Sequence, residues 1–171
     1  MEGHRAGEVI ESVRAMFNQA PREKSRFDTN DLVREVLIFT RPEIERHRVT
    51  VQTELMEKLP PLLADRIQLQ QVMRNLIMNA LEAMDVVTDR APVLTVKSGA
   101  HDSERVLITV EDSGTGIEPK DMRRIFDSFF TTGMGLAICR SIIESHGGSL
   151  AASPNHPHGT VFRVILPTGV D

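Results

Sequence analysis

Hydrophobic and polar residues alternate with two different periods along this chain, and the change from one to the other marks its elements. In residues 65–84, Leu69, Val72, Met73, Leu76, Ile77, Ala80 and Met84 recur at spacings of three and four. That spacing predicts an amphipathic helix with one buried stripe. Asn75, Asn79 and Glu82 fall within about 60° of one another at the edge of that stripe, taking about 100° per residue. Asn is a poor interior helix former because its side chain competes for backbone hydrogen bonds. Two of them one turn apart, beside the core, point to a polar site as readily as to simple bridges to neighbouring loops.

The remaining pattern predicts a short amphipathic helix over residues 4–20, with Val9, Ile10, Val13, Met16 and Phe17 on one side, then a charged linker over 21–27. Thr29 or Asn30 is placed to cap a helix that Pro42 kinks or restarts. Residues 49–55 alternate as a strand, 59–63 turn into a short extended piece, and Asp65 stands where the long helix needs its N-cap. Residues 92–100 and 104–111 read as a hairpin. Pro119 suits the first turn of a short helix to about Ile125. A helix opening at Gly133–Leu136 closes at His146-Gly147-Gly148, and residues 149–153 and 160–166 form a last hairpin. Helices alternating with strand pairs give an α+β fold: a two-layer α/β sandwich with one mixed, mostly antiparallel sheet and helices on one face.

The 171 residues, 40% hydrophobic with net charge −4, suit one domain plus a short appended element. The acidic balance gives no support to a nucleic-acid partner, and no apolar run approaches bilayer-spanning length. A single cysteine, Cys139, excludes an internal disulfide framework and fits a reducing, cytoplasmic compartment.

Three short motifs carry chemistry. In Asp112-Ser113-Gly114-Thr115-Gly116 the glycines let backbone approach a ligand closely, and the carboxylate at a strand end can accept from an amino group such as that of adenine. Gly133-Met134-Gly135-Leu136 at a helix start offers free N–H groups to phosphate. An Asn oxygen is a neutral ligand of the kind Mg²⁺ accepts. Singly, each also fits an ordinary turn, joint or bridge.

Together and in this order the motifs resemble the catalytic domain of bacterial sensor histidine kinases. Asn75-Leu76-Ile77-Met78-Asn79-Ala80 resembles the N box, Asp112–Gly116 the G1 box, Ile125-Phe126-Asp127-Ser128-Phe129-Phe130-Thr131-Thr132 the F box, and Gly133–Leu136 the G2 box. The resemblance covers about residues 28–168, and Phe129-Phe130-Thr131-Thr132 and Ser145-His146-Gly147-Gly148 look most like sensors of the nitrogen- and oxygen-regulation type. The wider superfamily, with gyrase, Hsp90 and MutL, shares the Bergerat fold. The resemblance implies Mg-ATP as ligand and γ-phosphoryl transfer to a histidine on a dimerisation domain, then to a response-regulator receiver domain. It places Mg²⁺ on Asn79, the triphosphate by Asn75, and the adenine amino group on Asp112. Gly114, Gly116 and Ile117 would line the base, with Thr160 beside it through its hydroxyl. Phe129, with Phe126, would anchor a lid near Thr131, Thr132, Gly133, Gly135 and Leu136. In hydrolytic relatives a glutamate stands where this chain has Asn75, an amide unable to act as a base.

Two departures qualify this expectation. None of the six histidines has the phosphoacceptor context of an acidic neighbour and a following Pro, so the acceptor is expected upstream of Met1, with residues 1–20 the tail of a dimerisation helix and 28–171 the catalytic domain. Thr132 runs straight into Gly133, so either the lid is shortened or some of its residues are absent from this sequence. The alternatives are a nucleotide-binding regulatory module without phosphotransfer and a gyrase- or MutL-like ATPase.

Overall fold

The computed structural model describes residues 23–127 and 135–169. The segment expected to be a helix over 4–20, together with Phe129, Thr131, Thr132 and Gly133, lies outside the described residues.

Chain order is β1 (Ser25–Phe27), α1 (Thr29–Arg46), β2 (Thr50–Leu55), β3 (Leu62–Ala64), α2 (Arg66–Asp85), β4 (Val93–Ala100), β5 (Arg105–Glu111), α3 (Gly135–Ser145), β6 (Ser149–Pro154) and β7 (Thr160–Pro167). Five strands form one sheet in the order β2-β4-β5-β7-β6. The β2–β4 pair is parallel and the others antiparallel, so the sheet is mixed, as the sequence predicts. Along β4, β5 and β7 alternate residues are buried and most are apolar: Leu94 and Val96, Val106, Ile108 and Val110, Phe162, Val164 and Leu166. That period-two row packs under the helices. The other face carries Lys97, which bridges Glu54 (3.2 Å) and Glu111 (3.3 Å) across three strands.

Helix α2 lies between α1 and α3 and over β4 and β5. Every apolar position predicted for its stripe is buried, and Leu81 joins them. Burying such a side chain is worth about 1.5–3 kcal/mol, so the stripe fixes the helix's rotation. The Asp65 side chain caps α2 by accepting from Gln68 N–H (3.2 Å), as expected.

Four local expectations are corrected. The cap of α1 is Asp28, whose carboxylate accepts from the N–H groups of Asn30 (2.7 Å) and Asp31 (3.2 Å). Asn30 is instead buried, donating to Met56 O (2.8 Å) and accepting from Ser98 Oγ (2.6 Å), which ties α1 to the ends of β2 and β4. Pro42 is accommodated inside a continuous α1. The last three residues of the expected linker form β1, antiparallel to β3, making a second small sheet. Phe27 there is buried and covered by the Arg66 guanidinium at 5.1 Å, which also pairs with Glu35. Residues 118–127 are a run of turns, not a helix: most of their bonds reach only three residues back, as in Asp121 N–H to Glu118 O (2.9 Å) and Arg124 N–H to Asp121 O (2.8 Å). One or two turns cannot offset the cost of nucleating a helix.

Helix α3 ends as predicted, by a Schellman motif. Gly147 N–H bonds Glu144 O (2.9 Å) and Gly148 N–H bonds Ile143 O (3.0 Å), with Gly147 at φ +78°. The capping residue, His146, is buried and joins two helices: one ring nitrogen meets Ile142 O at 2.8 Å, the other accepts from Asp65 N–H at 3.0 Å. Accepting at Nε2 and donating at Nδ1 requires the neutral ring. Replacing His146 by Phe leaves the Asp65 N–H buried without its acceptor. A loss of about 1–3 kcal/mol is expected in urea unfolding, with the greatest loss of amide protection at the start of α2.

Candidate functional site

One edge of α2 carries a row of positions, each about one turn beyond the last. Asn75, Asn79 and Ala83 are spaced i, i+4, i+8, so they stand one above another on the helix surface. The two asparagines are half-buried. The line spans about 12 Å of helix axis, and a glycine segment meets each end.

At the Ala83 end stands the Asp112 turn. Asp112 directly follows β5 and is 2% exposed. Its Oδ1 accepts from Gly114 N–H (2.8 Å) and Thr160 N–H (3.2 Å). Among the described residues both recorded donors fall on that oxygen, leaving Oδ2 for a donor from outside. The turn is pressed against α2: Thr115 N–H bonds Ala83 O (3.3 Å), and a Cβ built on Gly114 would stand 2.6 Å from the same oxygen. Gly116 sits at φ +77°, facing Gly159 O. Ile117 is half-buried against the core. Burial pushes the Asp112 carboxyl up from the ordinary carboxylate range, while the Gly114 and Thr160 N–H groups pull it back.

At the Asn75 end stands the start of α3. A Cβ on Gly135 would lie 3.7 Å from Asn75 Nδ2, and that amide donates weakly to Cys139 Sγ at 3.7 Å. Leu136 turns its side chain into the core, so what it can offer a ligand is its backbone N–H. Cys139 is buried and its thiol pushed up to about 12 by desolvation, which suits a packing residue. Phe126 meets Phe162 edge-on at 6.3 Å and lies under the Arg140 guanidinium at 5.3 Å, holding the residues before the expected lid against β7 and α3.

The structure thus collects Asn75, Asn79, Asp112, Gly114, Gly116, Ile117, Gly135, Leu136 and Thr160 along one edge of α2. Thr160 contributes a backbone N–H to Asp112, a role that its hydroxyl does not advertise in the sequence. Three more residues were not anticipated. Asn155 donates to Asp112 O (2.8 Å), Gly159 lets its own backbone pass Asp112, and Arg90 grips the glycine turn. None of them sits in a periodic segment. Glu82, which could be mistaken for a base, is exposed. Among the described residues there is no cluster of three His, Cys, Asp or Glu that could hold a metal by themselves. No described helix is long and apolar enough to cross a membrane.

A sequence profile of the histidine kinase-, DNA gyrase B-, and HSP90-like ATPase family matches residues 64–170. The sensor protein TdiS of Thauera aromatica is 35% identical over 168 residues, covering 95% of this chain and 31% of TdiS. The catalytic domain of histidine kinase ThkA, in a nucleotide-free form, superposes with a TM-score of 0.76 at 32% identity, covering 86% of this chain and 98% of that one. Histidine kinase ThkA in complex with the response regulator protein TrrA matches with a TM-score of 0.80 at 28% identity, covering 97% of this chain and 49% of that one. The chain spans about a third or less of the curated relatives it matches first.

Gly159 provides a test of the geometry without any ligand. At φ +104° and with Asp112 O only 1.9 Å from a built Cβ, Gly159→Ala must displace either the hairpin or the strand end. About 1–3 kcal/mol of destabilisation is expected in thermal unfolding, with the Gly114 and Thr160 amide resonances moving most. For Asp112 the sign is opposite. Its folded carboxyl binds a proton more tightly than the unfolded one, so its contribution to stability declines as pH rises through the range just above the usual carboxylate value. Asp112→Asn keeps an acceptor at Oδ1 and removes that charge, so it is expected to match or exceed the parent's stability at pH 7, read by denaturant midpoint.

Proposed function

We propose, from the premise that this chain belongs to the histidine kinase-, DNA gyrase B-, and HSP90-like ATPase family and stands on its histidine-kinase branch, that it binds Mg-ATP and presents the γ-phosphoryl to a histidine on a dimerisation domain. The observation that carries this reading is the Asn75–Asn79–Ala83 line, with the buried Asp112 carboxylate at one end and the Gly135 backbone at the other. The adenine amino group donates to Asp112 Oδ2, and the ring lies against Ile117 and the backbone of Gly114 and Gly116. The triphosphate runs along the asparagines toward the first turn of α3, where Gly135 and Leu136 supply N–H groups and the positive end of the helix dipole. Thr131, Thr132, Gly133 and Phe129 are the proposed lid side of the same site.

The donor set fits Mg²⁺: one amide oxygen, from Asn79, is a weak protein contribution, and this ion keeps several waters and takes its other ligands from the phosphates. When bound it would neutralise charge developing on the transferred phosphoryl. The chain's own residues position and shield. Asn75 can orient an oxygen by hydrogen bonding but cannot take a proton, so water at the γ-phosphate has no local base. That asymmetry favours an incoming histidine over hydrolysis. The receiving partner after the histidine is a response-regulator receiver domain, in a cytoplasmic setting; histidine kinase ThkA, similar to this chain, has been solved in complex with a response regulator.

The test uses γ-labelled ATP, Mg²⁺ and a separately produced acceptor-helix domain. Label is expected on that domain, with little free phosphate. Binding of a non-hydrolysable ATP analogue without any transfer would favour a regulatory nucleotide module, and rapid phosphate release without acceptor would favour a gyrase- or MutL-like hydrolase. Asp112→Asn is expected to weaken analogue binding by about tenfold or more, equivalent to one buried charge-assisted hydrogen bond. Asn75→Glu is expected to raise the ratio of hydrolysis to transfer.

A further inference from the structure

The grip of Arg90 on the Asp112 turn is the feature of this site that the roles above leave unused. Arg90 lies in the segment between α2 and β4, and its side chain is 23% exposed. Its Nε donates to Ser113 O at 2.7 Å and its Nη2 to Gly114 O at 2.7 Å, while Nη1 pairs with Asp89 at 2.9 Å. The two carbonyls belong to consecutive peptide units. The Ser113 carbonyl shares its peptide group with Gly114 N–H, the donor to Asp112 Oδ1 at 2.8 Å. The Gly114 carbonyl shares its group with Thr115 N–H, the donor to Ala83 O at 3.3 Å. A charged donor on a carbonyl polarises the peptide and strengthens the bond from its N–H. One guanidinium therefore heads two hydrogen-bond chains, one ending on the buried carboxylate and one on the last turn of α2.

We infer that Arg90 is a positioning residue for the purine: it fixes the glycine turn on α2, aims the Asp112 carboxylate, and sustains it as an acceptor for an amino group. The geometry of the turn agrees. Ser113 Oγ accepts from Val93 N–H at 3.0 Å, so β4 braces the same segment from its other side. The planar fork of arginine is what two adjacent carbonyls require; a lysine reaches one. Arg90 touches no base itself and acts through Gly114 and Asp112. What runs through Asp112 is felt only by ligands that offer an amino group where adenine does, whereas loosening of the glycine turn is felt by every purine.

The inference rests on Asp112 receiving the adenine amino group, and the experiment separates the two. Binding of ADP and of IDP, whose hypoxanthine places a carbonyl where adenine has the amino group, is measured by titration calorimetry with Mg²⁺. The proteins are the parent chain, Arg90→Met, Arg90→Lys and Asp112→Asn. In Arg90→Met the ADP affinity is expected to fall about tenfold more than that of IDP, so the preference for ADP falls by the same factor. Arg90→Lys is expected to recover part of that preference. Equal weakening of both nucleotides, or an undiminished preference, overturns the inference. Should the parent not distinguish ADP from IDP, and Asp112→Asn bind as the parent does, the reading of Asp112 fails and takes the inference with it. If circular dichroism shows Arg90→Met unfolded, Arg90→Lys decides alone: a preference reduced by about threefold, roughly half the full effect in free energy, upholds it, and an unchanged one overturns it.

Discussion

Burial of one stripe on α2 is the constraint on which everything else here depends. Eight apolar side chains lock that helix against α1, α3 and the sheet, and once they are buried its rotation has no freedom left. The asparagines at the stripe's edge are then held at the rim of the core, too polar to enter it and too close to it to be freely solvated. A site arises because a stable packing arrangement leaves amide groups at a fixed height and angle beside two glycine segments.

Those segments show how close approach substitutes for side-chain chemistry. Gly114 and Gly159 allow three backbones, those of α2, the Asp112 turn and the β6–β7 hairpin, to converge within van der Waals distance. A Cβ at either position would collide with neighbouring backbone, at 2.6 Å for Gly114 and 1.9 Å for Gly159. The convergence makes Asp112 an acidic group almost without water, held by N–H groups from two directions. A carboxylate so placed costs stability and is useful only to a partner that supplies a donor. The expected stability of Asp112→Asn expresses the same trade.

Much of this was legible in the sequence, for identifiable reasons. The stripe of α2, the strand alternation of β4, β5 and β7 and the glycine stop of α3 are periodic or local signals, and the structure reproduces them. The order of the asparagine, aspartate-glycine and glycine motifs named the family from residue types alone. The failures are equally specific. Asp28 took the cap from Thr29 and Asn30 because Asn30 had a buried duty between two strands. The short β1 strand carries no periodic signal in three residues. Arg90 and Asn155 act through distant backbone groups, and nothing in the sequence near them reports a partner more than twenty residues away.

The small β1–β3 ladder has a mechanical corollary. Strand β1 is stitched to β3, Arg26 donates to Gly169 O, and β3 leads within one residue to the α2 cap. Force arriving along the backbone ahead of Ser25 is therefore not absorbed by a slack tether. Ser25 pairs with Ala64, the residue before the Asp65 cap, so whatever displaces the start of β1 bears on the base of the helix that carries the asparagines.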